Sequence, residues 1–539
     1  MSFKVRLLLG AAVPFVFCLP AAAQVTISTA TTAPVKTSTA NSGAASDVTI
    51  AAGGAINLTS QPNTAAVTVD SNNKIVNSGA ILSNNSDGGI GVNIQTNLTT
   101  GYSGAGSISI VEDYTRTDTN NDGNLDGPLA QGTGRAAILV QPGGTMTGDI
   151  NLLAGSTITV EGNNSYGVSV QSALNGNYSQ KGAVVITGSN NTGVELHGNV
   201  TGNIDIGGSM IATGEGSTAV NVRGDVGGEF RVDGTVFSTG FTSSTVTNYL
   251  TPQQITAGIT APIRNADDLL VGGPALLVRG NLAKGLLVQG NAVGGVDPTT
   301  DVKDVVQNFN ENRTPATITS IGSAPALLVS PEDGAAGRNI EFGLVHESVP
   351  DTLDDNKNSN FDEIIGSFDY AYGFMNRGTI VANGLNKGFT ATGARLAGSA
   401  DGTHTTTIDG GIFNGGSIAA SSFDASAVGL SIGSGLITPQ LVNSGSISAS
   451  GTSGLAFSGT AVQIDAGASV PTVTNSGAIF SNVIGYTGDA VAFRDLSGTV
   501  TTFNNNSRIA AGFIDDDATD TVTSGTGKAI AIDLSHSSS

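Results

Sequence analysis

The stretch Val194-Glu195-Leu196-His197-Gly198-Asn199-Val200-Thr201-Gly202-Asn203-Ile204-Asp205-Ile206-Gly207-Gly208-Ser209-Met210 returns 26 residues later, at Val220 to Val236, with the same pattern. Apolar residues and glycines coincide at Val194/Val220, Leu196/Val222, Gly198/Gly224, Val200/Val226, Gly202/Gly228, Ile204/Phe230, Ile206/Val232, Gly208/Gly234 and Met210/Val236, while the residues between vary freely. A single structural unit is therefore being restacked. Polar residues alternate with the apolar ones, so the unit reads as short strands with one dry and one wet side. Such a strand buries its apolar side only if the chain coils and lays each copy on the last. The expected fold is all-β, a parallel β-helix with a column of aliphatics as its core. A buried aliphatic contributes about 1.5–3 kcal/mol by area, against roughly 1–2 kcal/mol of backbone entropy per ordered residue. One coil alone would not fold, and stacking is the source of stability.

The template extends outward. Adding 56 to Val220, Val222, Gly224, Val226, Phe230, Val232 and Gly234 lands on Leu276, Val278, Gly280, Leu282, Leu286, Val288 and Gly290, and Val168 and Val170 stand 26 residues before Val194 and Leu196. Toward the C-terminus the phrase becomes N-x-G-x-I, at Asn376–Ile380, Asn414–Ile418, Asn443–Ile447 and Asn475–Ile479, with a degenerate copy at Asn505–Ile509 and an early one at Asn77–Ile81. A second phrase starts at Ala427-Val428, Ala461-Val462, Ala490-Val491 and Ala529-Ile530. Coils of this size predict roughly 17 to 20 windings and, at about 4.8 Å per strand, a stem of about 80 to 95 Å. The 75 glycines are expected at corners needing positive φ. The recurrent asparagines have two equal readings, as left-handed turn residues or as a side-chain amide ladder.

The N-terminus carries an address. Lys4 and Arg6 precede an apolar run from Leu7 to Leu19 that ends in Ala21-Ala22-Ala23, the pattern of a secretory signal peptide over residues 1–23 and too short for a membrane anchor. Cys18, the only cysteine, lies inside it behind Phe17, which argues against a lipoprotein anchor. The chain after residue 23 has no cysteine, so no disulfide framework supports it. Acidic residues number 43 against 22 basic, for a net charge of −21. That balance excludes a nucleic-acid partner, and the absence of tryptophan argues against an aromatic-lined sugar groove.

Signal peptide, Gly/Asn/Ser/Thr-rich coils, phrases such as Val442-Asn443-Ser444-Gly445-Ser446-Ile447 and the lack of cysteine resemble the passenger region of a bacterial autotransporter. Glu112-Asp113-Tyr114-Thr115 running into Asp118 to Gly127, with Gly134-Arg135 after it, is similar to alphaproteobacterial passengers. The resemblance spans residues 24–539 broadly, but its motifs are compositional. It implies a right-handed β-helix at the cell surface, exported through the inner membrane and then through a C-terminal outer-membrane β-barrel. No barrel-like run of strands precedes residue 539, so the barrel is expected beyond it.

Insertions near 112–134, 237–270, 291–320 and 346–373 interrupt the coils, and specificity is expected there. Tyr249 and Phe309 ride on them. Two loops have calcium-ligand spacing: Asp118, Asn120, Asp122, Asn124 and Asp126, with Gly123 at the sharp turn, and Asp354, Asn356, Asn358, Asn360 and Asp362. Both lack the bidentate glutamate at position 12, where Leu129 and Ile365 stand; the competing reading is an Asx-turn-rich acidic loop. Catalytic signals are sparse. Gly429-Leu430-Ser431-Ile432-Gly433 matches G-x-S-x-G within a strand-like phrase, where the motif's elbow is not expected. The histidines, His197, His346, His404 and His536, show no zinc spacing, and His197 aligns with Arg223 of the next copy at an outward polar register. Asp267-Asp268 and Asp515-Asp516-Asp517 read as solvated loop charge.

The sequence thus predicts a structural and interaction protein, with no enzymatic role: a surface-exposed stem displaying recognition or adhesive loops toward a host, glycan or other surface ligand, possessing calcium-ordered insertions and no strong signal for oligomers. The alternatives are a polysaccharide-acting β-helix lyase or hydrolase, which requires acidic and basic side chains from successive coils to converge on one exposed strand, and a passive surface spacer.

Overall fold

The computed structural model describes residues 24–121, 125–241, 266–292, 313–350, 364–452, 457–485, 487–514 and 525–536. The leader, Tyr249, Phe309 and Asp515 to Asp517 lie outside them. Three long parallel sheets of 14 strands each run through the described residues. The first begins with Gln24–Ile27 and ends with Thr502–Asn505, the second runs from Ala30–Thr31 to Arg508–Ile514, and the third from Val35–Lys36 to Ala529–Asp533. The chain visits the three in turn and returns to the first one level up, as a right-handed parallel β-helix.

The register follows the repeat. Val194 pairs with Val220 and Leu196 with Val222, Ile204 with Phe230 and Ile206 with Val232, and Met210 with Val236. The step of 56 sets Val220 on Leu276 and Phe230 on Leu286. These side chains are all buried, in one core cluster that extends from Val48 to Val500.

Fourteen coils are fewer than the coil length predicted, and at about 4.8 Å per strand the stem is about 60 Å long. The residues missing from the count lie in the insertions: second-sheet neighbours Thr235 and Thr317 are 82 residues apart, and first-sheet neighbours Leu286 and Phe374 are 88 apart. The second phrase is also partly out of register. Ala427 pairs with Gly459, which pairs with Ala490, so Ala461 sits two residues further along. A shift of two leaves inward residues inward, and alternation alone does not detect it.

Most template glycines answer to crowding, and only Gly290, with φ of 123°, also needs the left-handed region. Gly224 has no positive φ, but a Cβ there would lie 2.1 Å from the Gly198 carbonyl oxygen, and one on Gly280 would lie 2.0 Å from that of Gly224. Each coil rests directly on the backbone below. The asparagines divide between both readings. Asn164 and Asn190, one coil apart, have φ of 50° and 55°, as turn residues do, whereas Asn376, Asn414, Asn443, Asn475 and Asn505 form a continuous side-chain ladder. Asn376 Nδ2 donates to Asn414 Oδ1 at 2.8 Å, Asn414 to Asn443 at 2.7 Å, Asn443 to Asn475 at 2.8 Å, and Asn475 to Asn505 at 2.8 Å.

Candidate functional site

The insertions leave the stem at defined corners. Those near 112–134 and 237–270 both occupy the corner between the second and third sheets, and they touch: Gly127 N–H donates to Asp267 Oδ2 at 2.9 Å, with Arg116 Nη2 3.8 Å from the same oxygen. Asp267 and Asp268 are therefore not merely solvated loop charge, and Asp268 is buried within a short 3-10 turn. Arg135, 2% exposed, closes the base of the first insertion. Its Nη1 lies 3.0 Å from Glu112 Oε2, its Nε donates to the Ser86 carbonyl at 3.2 Å, and Glu112 accepts the backbone N–H groups of Gln131 and Gly132 at 2.6 and 2.7 Å.

Of the first calcium-spaced loop, Asp118, Asn120 and Asp126 are described; Asp122 and Asn124 lie outside the described residues, as does the whole second set, Asp354, Asn356, Asn358, Asn360 and Asp362. Asp126 Oδ2 accepts the Thr119 N–H and hydroxyl, both at 2.6 Å, and the Asn120 N–H at 3.3 Å. These bonds reach back six and seven residues and close the loop on Asp126 itself, and a bound cation would have to share or displace them. Among the described residues no group of three His, Cys, Asp or Glu side chains is placed to hold a metal.

The other two insertions frame the outer face of the first sheet. One contributes an antiparallel hairpin of Gly290–Ala292 with Arg313–Pro315, the other a hairpin of His346–Pro350 with Ile364–Asp369. They are joined through fully buried Glu347, whose Oε1 accepts Arg313 Nη2 at 2.7 Å and Gln289 Nε2 at 2.5 Å, and whose Oε2 accepts the Tyr370 hydroxyl at 2.9 Å. Glu229 accepts the Ser348 N–H at 3.0 Å. Beneath them Arg231 stands between Asp205 on the coil before and Asp233 on its own, each at 3.7 Å. Burial pushes the Asp233 carboxyl up to about 6 against the pull of Arg231 and Arg313. Leu287 and Met375, outward on the same sheet, are covered by Val345, Tyr370 and Tyr372. Charged groups from successive coils do converge here, but under a cover of inserted chain.

A second cluster lies at the corner after the third sheet. His197, Arg223 and Arg279 each follow a paired core residue, Leu196, Val222 and Val278, so they stack in one column on three successive coils. The segment from Glu332 to Arg338 folds against them and encloses a pocket of about 110 Å³ lined by His197, Arg223, Arg279, Glu332, Ala336, Gly337 and Arg338. Arg223 pairs with Glu332 and lies 3.7 Å from Glu195; Arg338 grips Asp225 with both nitrogens, at 2.8 and 2.5 Å. Burial raises the Glu195 carboxyl above its ordinary range, with Arg223 opposing. The wall is fastened from behind: Gly334 N–H donates to Asp401 Oδ2 at 2.8 Å, and His404 Nε2 is 2.8 Å from the Gly334 carbonyl. The G-x-S-x-G serine, Ser431, is buried mid-strand in Ala427–Ile432, and its hydroxyl accepts Arg395 Nη1 at 2.9 Å. Sequence reasoning aligned His197 with Arg223 but missed the pocket, because what closes it comes from a segment over 100 residues away.

No family model, no curated protein and no solved structure matches this chain.

Proposed function

We propose that the chain is an exported, surface-exposed stem of autotransporter-passenger type, a structural and interaction protein whose insertions recognise a host, glycan or surface ligand. The observation that carries this reading is the pair of hairpins from opposite corners, locked over one face of a 14-coil rod through Glu347 and Arg313. A passive spacer has no need of such a fixed platform, and the buried ion pair costs desolvation that plain coils avoid. Residues 24–539, labelled and applied to host cells, glycan arrays and abiotic surfaces, should bind at least one of them saturably. Shortening the second hairpin should abolish that binding while the far-ultraviolet spectrum is kept. Equal, non-saturable retention of both proteins on every surface would favour the spacer.

The charged convergence of Asp205, Arg231 and Asp233 gives the polysaccharide-cleaving alternative a specific location. Because the inserted chain covers those groups, that reading requires the hairpin to lift, and a depolymerisation assay on acidic and neutral polysaccharides tests it.

A further inference from the structure

Arg279 is the one guanidinium of the arginine column that makes no hydrogen bond or ion pair with any described residue. It is only partly exposed, it stands one coil above Arg223, and it faces the pocket closed by the segment from Glu332 to Arg338. The neighbouring guanidinium groups are held by carboxylates of the protein itself, Glu332 and Glu195 on Arg223, and Asp225 on Arg338. This set of pairings shows what the pocket accepts: a planar, forked acceptor against a planar, forked donor. The chain as a whole is strongly acidic, whereas this pocket is lined by three arginines and one glutamate and leaves one arginine unmatched.

We propose that this pocket binds a carboxylate group, with the Arg279 guanidinium as its principal ligand, Arg223 and Arg338 as its cationic surround and His197 as a neighbouring hydrogen-bonding side chain. A single negative charge fits better than a double one, because Glu195, Glu332 and Asp225 already stand at the site and repel additional charge. A pocket of about 110 Å³ admits the anionic group and leaves the remainder of a larger ligand outside. The wall is preformed: Asp401 holds Gly334 in place, and hydrogen bonds from Thr403 and Ser399 keep the Asp401 carboxyl below its usual range and so ionised. The group is supplied by a small organic acid or by an acidic sugar. Surface recognition, as proposed above, gives the sugar a role, but binding at the pocket does not depend on that reading.

Isothermal titration of residues 24–539 with acetate, glucuronate, glucose and inorganic phosphate at low ionic strength tests the proposal. Acetate and glucuronate should bind at one site, and glucose should not. Arg279→Ala should weaken carboxylate binding by about 10- to 100-fold, and Arg279→Lys, which keeps the charge but not the fork, should fall between. Both variants should keep the parent's melting temperature, since no described partner is lost. Glucuronate binding more tightly than acetate identifies an acidic sugar; equal affinities identify a simple carboxylate. Binding that Arg279→Ala leaves unchanged, tighter binding of phosphate, or no binding of either carboxylate overturns the proposal. Failure of the cell and surface assays alongside successful titration would remove the adhesive reading and leave the pocket standing.

Discussion

Asn414 donates its side-chain Nδ2 to Asn443 Oδ1 at 2.7 Å, and Asn443 does the same to Asn475 at 2.8 Å. Both asparagines of the first pair are buried, so every amide removed strands a donor on one neighbour and an acceptor on the other. Asn414→Ala should destabilise the C-terminal coils by about 1–3 kcal/mol. Asn414→Asp should cost more, because a carboxylate would face the Asn443 oxygen. Hydrogen exchange of the Asn376 to Asn475 coils reads the effect, and unchanged protection in both variants would show that the ladder is idle.

Replacing Gly445 by alanine tests the crowding that sets the glycines. A Cβ there would lie 2.0 Å from the Gly416 carbonyl oxygen, closer than any relaxed contact. The coil would have to shift, at a cost of about 1–3 kcal/mol. Alanine at Gly143, where nothing lies within 4 Å but φ is +88°, should cost less, through strain alone, of about 1 kcal/mol. Chemical denaturation of the two variants should therefore rank Gly445→Ala as the more damaging.

The Asp233 carboxyl gives a pH signature of known sign. Its folded value, about 6, exceeds the roughly 3.9 of an unfolded aspartate. The folded chain therefore binds more protons between those values, and the contribution of this group falls as pH rises from about 4 to about 6. Other carboxylates act in the opposite direction: Asp401 and Asp533 are held low by hydrogen bonds and lose their contribution in acid. The difference between the parent and Asp233→Asn isolates the site. The variant's stability relative to the parent should improve from pH 4 to pH 7, and a flat difference would mean that Asp233 titrates normally.

Arg135 and Glu112 tie both ends of the first insertion to the stem. Removing one partner of a buried ion pair typically costs about 3–5 kcal/mol, and Arg135→Ala also leaves the Ser86 carbonyl with the Gly89 N–H as its remaining donor. Limited proteolysis between residues 112 and 134 should accelerate strongly in this variant while the distant C-terminal coils keep their protection.

Calcium is a separate question for the same insertion. If Asp118, Asn120 and Asp126 take part in a site, Ca2+ should protect the loop from protease, Mg2+ should not, and Asp126→Asn should abolish the effect. A loop closed by its own hydrogen bonds to Asp126 alone predicts equal cleavage with and without the ion.

The stem was legible because its two periodicities agree: alternation along each strand and a fixed offset between coils point to the same buried set, from Val168 through Val194 and Val220 to Leu276. The sequence could not place Ala461, since a slip of two residues preserves every inward side chain. Nor could it weigh the insertions against the coils, and so it overcounted windings. At the candidate sites, the column of His197, Arg223 and Arg279 follows from the offsets alone. Its closure by Arg338, and the meeting of Arg313 with Glu347, depend on how long connections fold back, which local pattern does not encode.

The amide row from Asn376 to Asn505 has polarity. Every link runs from a nitrogen on the earlier winding to an oxygen on the later one, and the Asn505 nitrogen makes no hydrogen bond with any described residue. Only an acceptor-bearing edge arriving in the same sense would continue the row, much as a magnet admits one orientation of its neighbour.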